Sequence, residues 1–237
     1  MRNLGKLISG EIERATKYKI LTVGVGVSLL WCIIIAAIPL NDVKQIVPLI
    51  VFTDSAIMSA ILISASLFFE RNEGTLSTLA IAPCSVLEIL LSKIIMSVVV
   101  ALLSTAIIFV SVAIFHGTLI NFMLVPYVIL VATLNSIIGV LISLHSRDFN
   151  SMLVNFSIFV ILLDLPAVLA SVGLLPNWIE LITIILPSQA SQILITSTLV
   201  STELYQVLIS LGVVVLWSVL LLILAVYPKF KEYMVKG

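Results

Sequence analysis

Six stretches of about twenty or more predominantly apolar residues dominate the chain, near 20–40, 47–69, 91–115, 119–144, 152–174 and 206–227. At a rise of about 1.5 Å per residue, each can cross the roughly 30 Å hydrocarbon layer of a bilayer as a helix, and a helix satisfies its backbone polar groups internally where no water is present. The surface has too little charge to coat a water-soluble globule: 10% of the residues are charged, against about 25% in a soluble domain. With 61% apolar residues and a mean hydropathy of +1.29, the expected fold is all-α and membrane-integral, a single domain over residues 1–237.

The segments between the spans complete the expected layout. In residues 1–19, Leu4, Leu7, Ile8, Ile12 and Ala15 fall on one helical face and Lys6, Glu11, Arg14 and Lys17 on others, which predicts an amphipathic helix lying in the membrane interface. No cleaved leader is expected, because the first apolar run starts only at Ile20. Spans one and two occupy 20–69, a short helix 70–90, spans three to five 91–174, and span six with a polar tail 206–237. Residues 175–205 are apolar but interrupted by Pro176 and Pro187 and rich in Ser, Thr and Gln towards their end. They are expected to form helical pieces or a re-entrant hairpin in the outer interface, not a seventh span. Eleven of the twelve basic residues fall on one side in this layout, and only Lys44 on the other. The positive-inside rule then places both termini and the 70–90 segment in the cytoplasm.

Several kinds of chemistry have no footing in the chain. A net charge of zero gives no electrostatic footprint for nucleic acid. Cys32 and Cys84 lie in unlike surroundings and imply no disulfide framework. His116 and His145 sit at span ends, no cluster has metal-ligand spacing, and the Gly24 and Gly26 pair lacks the third glycine of a dinucleotide site. There is no phosphate-binding G-x-x-x-x-G-K-[ST] loop and no nucleophile–base constellation, so the chain has no visible means of hydrolysing ATP.

Polar residues inside the spans recur in stripes: Ser55, Ser59 and Ser64 on the second, Ser97, Ser104 and Ser111 on the third, Ser136, Gly139 and Ser143 on the fourth, and Asn150, Ser157, Asp164 and Ser171 on the fifth. Close helix packing and a polar-lined path both account for such stripes. Asp54 and Asp164 carry more weight, because an ionised carboxylate at bilayer depth costs about 2.5–3.5 kcal/mol and must meet protein, water, a partner or a proton. Pro166 follows Asp164 by two residues and is expected to break the fifth helix beside the acid. Asp54, Ser157 and Asp164 are candidates for a substrate path, and an interhelical hydrogen bond is the other reading of the two acids.

The longest polar interruption is Glu70 to Lys93, in which Leu76, Leu79 and Ala80 recur at helical spacing. Gly74 and Thr75 permit a sharp turn and a helix start, and Pro83 ends the helix. Glu70-Arg71-x-Glu73-Gly74-Thr75-Leu76, then Leu79, Pro83 and Ser85, then Glu88-Ile89-Leu90-Leu91-x-Lys93, resembles the signature of type-2 ATP-binding-cassette export permeases. The interfacial helix at 1–19 and the Pro176-Asn177-Trp178 and Pro187 region are similar to further parts of that family, so the likeness spans nearly the whole chain. Ala82, Ser92, Ser77 and Thr78 depart from the usual pattern.

The resemblance implies that 70–90 is the coupling helix, with Glu70, Arg71, Glu73, Gly74, Thr75, Leu76, Leu79 and Pro83 facing a separate cassette ATPase. It implies two ATPase copies carrying ATP and Mg, a second permease copy as homodimer or related heterodimer, and a bacterial or archaeal cytoplasmic membrane. No cofactor or metal is expected on this chain itself, and no catalysis. The length and the closing AVYPKFKEYMVKG resemble the drug- and fluoroquinolone-export branch, which makes an amphipathic drug or antibiotic the expected cargo. Export of, or immunity to, a lantibiotic-type peptide, and a haem or lipid cargo, are the alternatives within the family. A non-transporting pore or scaffold is the alternative outside it.

Overall fold

The computed structural model describes residues 4–75, 84–117, 121–174 and 183–236, and among them every regular element is helical. The helices are α1 (Leu4–Lys17), α2 (Ile20–Ala37), α3 (Val43–Asn72), α4 (Val86–His116), α5 (Leu124–His145), α6 (Phe149–Ser171), α7 (Pro187–Thr196) and α8 (Leu204–Met234). Six of these, α2 to α6 and α8, are long and apolar enough to cross a membrane. The ten residues of α7 reach only about 15 Å. Helix α7 packs instead against α3, α5, α6 and α8.

Two boundaries differ from the sequence expectation, and both bear on the 70–90 segment. Helix α3 runs on to Asn72, so Glu70 and Arg71 are its last turn, with Glu73 as C-cap. Gly74 then takes φ +70°, a left-handed conformation that a side chain disfavours, and this ends the helix. Helix α4 starts at Val86 because Ser85 and Glu88 form a capping box: the Glu88 amide donates to Ser85 Oγ at 3.2 Å and the Ser85 amide donates to Glu88 Oε2 at 3.0 Å. Both ends of the expected short helix therefore belong to spanning helices. Its middle, including Leu76, Leu79 and Pro83, lies outside the described residues.

Helices α3 and α5 form the centre of the bundle, each with 67% of its apolar window buried, whereas the last span has 11% and α2 has 22%. With no hydrophobic drive between helices in lipid, close backbone approach decides this packing. Gly139 permits it: a Cβ there would lie 2.4 Å from the Ala60 carbonyl oxygen and 2.9 Å from its Cα. Ser64 crosses the same seam, donating to the Gly139 carbonyl at 2.7 Å. The seven-residue serine stripe of α4 joins it to two neighbours. Ser97 donates to the Ser59 carbonyl at 2.9 Å, Ser104 shares a 2.6 Å hydrogen bond with Ser28, and Ser111 pairs with Cys32 Sγ at 2.8 Å. On α4, then, the stripe is a packing device.

Both intramembrane aspartates stand at π-helical turns, Asp54 opening one over Asp54–Met58 and Asp164 closing one over Val160–Asp164. Such turns leave carbonyls to be paired elsewhere. Around Asp54 hydroxyls take them: Thr53 donates to Leu49 and Ile50, Ser55 to Phe52, and Ser59 to Ser55 and Ala56. Around Asp164 the turn corrects the expected break. Pro166 clashes with the carbonyl one turn back, and widening of that turn lets α6 continue to Ser171.

Candidate functional site

Helix α1 lays Leu7, Glu11 and Ala15, spaced by four, against α4, so the middle of its buried stripe is a carboxylate. Two further charges meet it there: Glu70 from the last turn of α3 and Lys93 from the second turn of α4. Lys93 Nζ lies 2.5 Å from Glu70 Oε2 and 2.9 Å from Glu11 Oε1. Arg14 closes the ring, with Nη2 2.7 Å from Glu11 and Nε 3.3 Å from Glu70. Ser66 adds a hydroxyl donated to Glu70 at 3.3 Å. Glu11, Glu70 and Lys93 are buried and Arg14 half-buried. Two carboxylates and two cations thus cancel inside a low-dielectric pocket, the condition under which buried charges are tolerable.

Around this cluster Glu73 and Arg71 are tied to different neighbours. Glu73 Oε2 accepts from Lys17 at 2.7 Å and from the Tyr18 hydroxyl at 2.9 Å. Lys17 first and Tyr18 second hold the Glu73 carboxyl below the usual glutamate range. Partial burial, then the bond to Glu73, pushes the Tyr18 phenol up to about 12. The Tyr18 ring packs on Phe69 with centroids 5.3 Å apart. Arg71 donates from Nη1 to the Ser146 carbonyl at 2.8 Å, between α5 and α6, and its guanidinium stacks over the Tyr233 ring at 5.4 Å. Gly74 supplies the turn and Thr75 re-enters helical conformation. The roots of the 73–85 segment are therefore fastened to α1, to the α5–α6 junction and to the end of α8.

The three substrate-path candidates are placed separately. Asp54 Oδ1 accepts from Trp31 Nε1 on α2 at 3.1 Å, and Asp164 Oδ1 accepts from Ser188 on α7 at 2.6 Å. Both acids are buried, and the Oδ2 of each has no hydrogen-bond partner among the described residues. Ser157 is exposed on α6 and returns its hydroxyl to the Leu153 carbonyl at 2.9 Å. No two of the three share a hydrogen-bond partner.

Sequence reasoning missed Glu11 and Arg14, placing them on faces of α1 other than its apolar one. The signal was present in the spacing: Glu11 sits midway between Leu7 and Ala15, and Arg14 follows it by three. Lys93 was visible as part of the motif but not as the partner of Glu70, because the pairing bridges 23 residues of sequence.

The sequence model of the family described as ABC-2 family transporter protein matches residues 39–227, from the end of the first span into the last. No curated protein matches the chain.

Proposed function

The chain belongs to the ABC-2 transporter family, a family of multi-pass membrane components that work with an ATPase subunit, and on that premise we propose that it is the permease subunit of an exporter. Two ATPase copies, carrying ATP and Mg, bind the cytoplasmic 73–85 segment, and a second permease copy, of the same or a related chain, completes the pair. Both termini face the cytoplasm of a bacterial or archaeal cell. The cargo is amphipathic, with drugs and antibiotics as its class.

The observation that carries this reading is the neutral, buried cluster of Glu11, Arg14, Glu70 and Lys93, which joins the end of α3 to the start of α4 and to α1. A push on a flexible loop would be absorbed locally. A push on a segment whose two roots are ion-paired to each other and to α1 moves α1, α3 and α4 together. The ATPase supplies the bias by contacting the segment differently in its open and closed states. Within the membrane, Asp54 and Asp164 each keep an oxygen for a cationic group on the cargo, and Ser157 fronts the second copy across the exposed face of α6.

The test is capture of the ATPase. The full chain, solubilised and purified from its native host, is expected to retain an ATPase subunit, and the double variant Glu73→Lys, Gly74→Leu is expected to lose it while still inserting in the membrane. A wild-type chain that holds no ATPase, or a double variant that holds it and exports a fluorescent amphipathic dye at the normal rate, would defeat the reading.

A further inference from the structure

A cavity of about 480 Å³ opens between the start of α3, the end of α6 and the length of α7. Its polar lining includes Lys44 and Gln45 from α3, Gln189, Gln192 and Thr196 from α7, and Thr202 beyond it. Gln189, Gln192 and Thr196 are spaced by three and four, so α7 turns one polar stripe into the space. Gln189 is 7% exposed and Gln192 2%, yet the Oε1 of each has no hydrogen-bond partner among the described residues. No carboxylate is among the described residues that line the cavity. The site thus presents one ammonium, with two unpartnered amide oxygens buried in its α7 wall: a place for a single negative charge accompanied by hydroxyl or amine donors that reach into that wall.

The rim is apolar. Leu40 beside the α3 entrance, Leu174 after α6 and Leu204 at the start of α8 are each at least 70% exposed. Three of the segments that give the cavity a polar group, at Lys44, Ser171 and Thr202, therefore carry an exposed leucine within four residues, and α7 lines the space with Ile193. A soluble anion would gain nothing from that rim, whereas an amphiphile would use both parts. We propose that this cavity binds the headgroup of a hydroxyl-bearing glycerophospholipid, with phosphate at Lys44, headgroup hydroxyls at Gln189 and Gln192, and acyl chains along the leucine rim. Its placement in the outer leaflet rests on the topology proposed above, while the site itself does not.

The experiment uses the full chain, stripped of lipid in detergent, with retained lipid read by native mass spectrometry and stabilisation by thermal shift. Phosphatidylglycerol is expected to bind and raise the melting temperature, and diacylglycerol, which lacks the phosphate, is not. Lys44→Gln and Gln192→Leu are each expected to weaken binding by about tenfold, the scale of one charge-assisted or buried hydrogen bond. Both variants should fold, since Lys44 is exposed and Gln192→Leu gives up one 3.2 Å hydrogen bond, from Nε2 to Thr196, and an oxygen that is already unpaired. Binding equal in wild type and both variants, or water alone in the cavity with no phosphate-dependent shift, would overturn the proposal. Protection by soluble glycerol phosphate equal to that by the lipid would overturn the lipid source and leave the phosphate chemistry. Modification of Lys44 by a membrane-impermeant amine reagent from the cytoplasmic side would overturn the topology and leave the site standing.

Discussion

Two sets of buried charge lie in this bundle, and they are built in opposite ways. At one end of α3, Glu70 is held by Lys93, Arg14 and Ser66, and the cluster it joins balances its charges. Further along the same helix Asp54, and on α6 Asp164, have one oxygen in a hydrogen bond to a neutral donor and the other in none among the described residues, with the Ser104 hydroxyl also facing Asp54. A cluster whose charges balance resists change, because removing any member strands the rest in a low dielectric, even though Arg14 Nε pairs with Glu70 by charge and makes no hydrogen bond. A half-paired acid can accept a new partner without breaking an old one. The first kind of site suits a joint that transmits force, and the second a site that receives something.

The comparison breaks most readily at Lys93. Lys93→Ala leaves Glu11 and Glu70 facing each other with only Arg14 between them, and is expected to cost about 3–5 kcal/mol. Thermal unfolding of the purified chain in detergent reads this directly. A melting temperature equal to wild type would show that the cluster is solvated in practice and no joint at all. Between the two sites runs the α3–α5 seam. Gly139→Ala puts a Cβ against the Ala60 backbone and is expected to cost about 1–3 kcal/mol, the usual penalty of overpacking. If it is neutral, the seam yields, and force entering at Glu70 need not reach Asp54.

Much of this was legible in sequence, for reasons that differ by residue. The spans were visible because hydrocarbon tolerates only long apolar helices, and their count follows from length alone. Ser85 and Glu88 announce a capping box by their spacing, yet within a motif read as one helix they were not seen as the start of α4. The π-helical turn at Val160–Asp164 was hidden because Pro166 dictates only that the regular turn must change, and neighbouring packing decides whether it breaks or widens. Glu11 was misassigned because amphipathic reasoning sorts residues by hydrophobicity. A carboxylate that finds two buried cations violates that sorting, and only the tertiary fold supplies its partners.

A smaller effect on stability sharpens the contrast at the acids. Asp54→Asn and Asp164→Asn keep the oxygen that accepts from Trp31 or Ser188 and replace the unpartnered one. Each is expected to shift stability by no more than about 1 kcal/mol, the net scale of one hydrogen bond, while lowering export of a cationic amphiphile from proteoliposomes containing the ATPase. If either variant unfolds as readily as Lys93→Ala, the acids are as structural as the cluster, and the distinction between the two regions fails.

The smallest expected effect lies at the exposed margin of the cluster, where Glu73 meets Lys17 and Tyr18. The Glu73 side chain is 40% exposed and that of Lys17 62%, so solvent screens the pair and little stability is expected from it at neutral pH. Its signature is in pH. Because the folded-state pKa of Glu73 is lowered, the tie contributes fully above the ordinary glutamate value and is lost as pH falls through the lowered one. Lys17→Gln removes the larger cause of that lowering. The small advantage of wild type over the variant is therefore expected above the ordinary glutamate value, and is expected to vanish as pH falls through the lowered one, so that the two curves meet at the acid end. Curves that coincide throughout would mean that Glu73 is held by Tyr18 alone. Curves that differ by a constant amount at every pH would mean that Lys17 acts through packing on Tyr18, over whose ring its Nζ lies at 5.4 Å, and that the outer tie belongs with the aromatic contacts and not with the charge cluster.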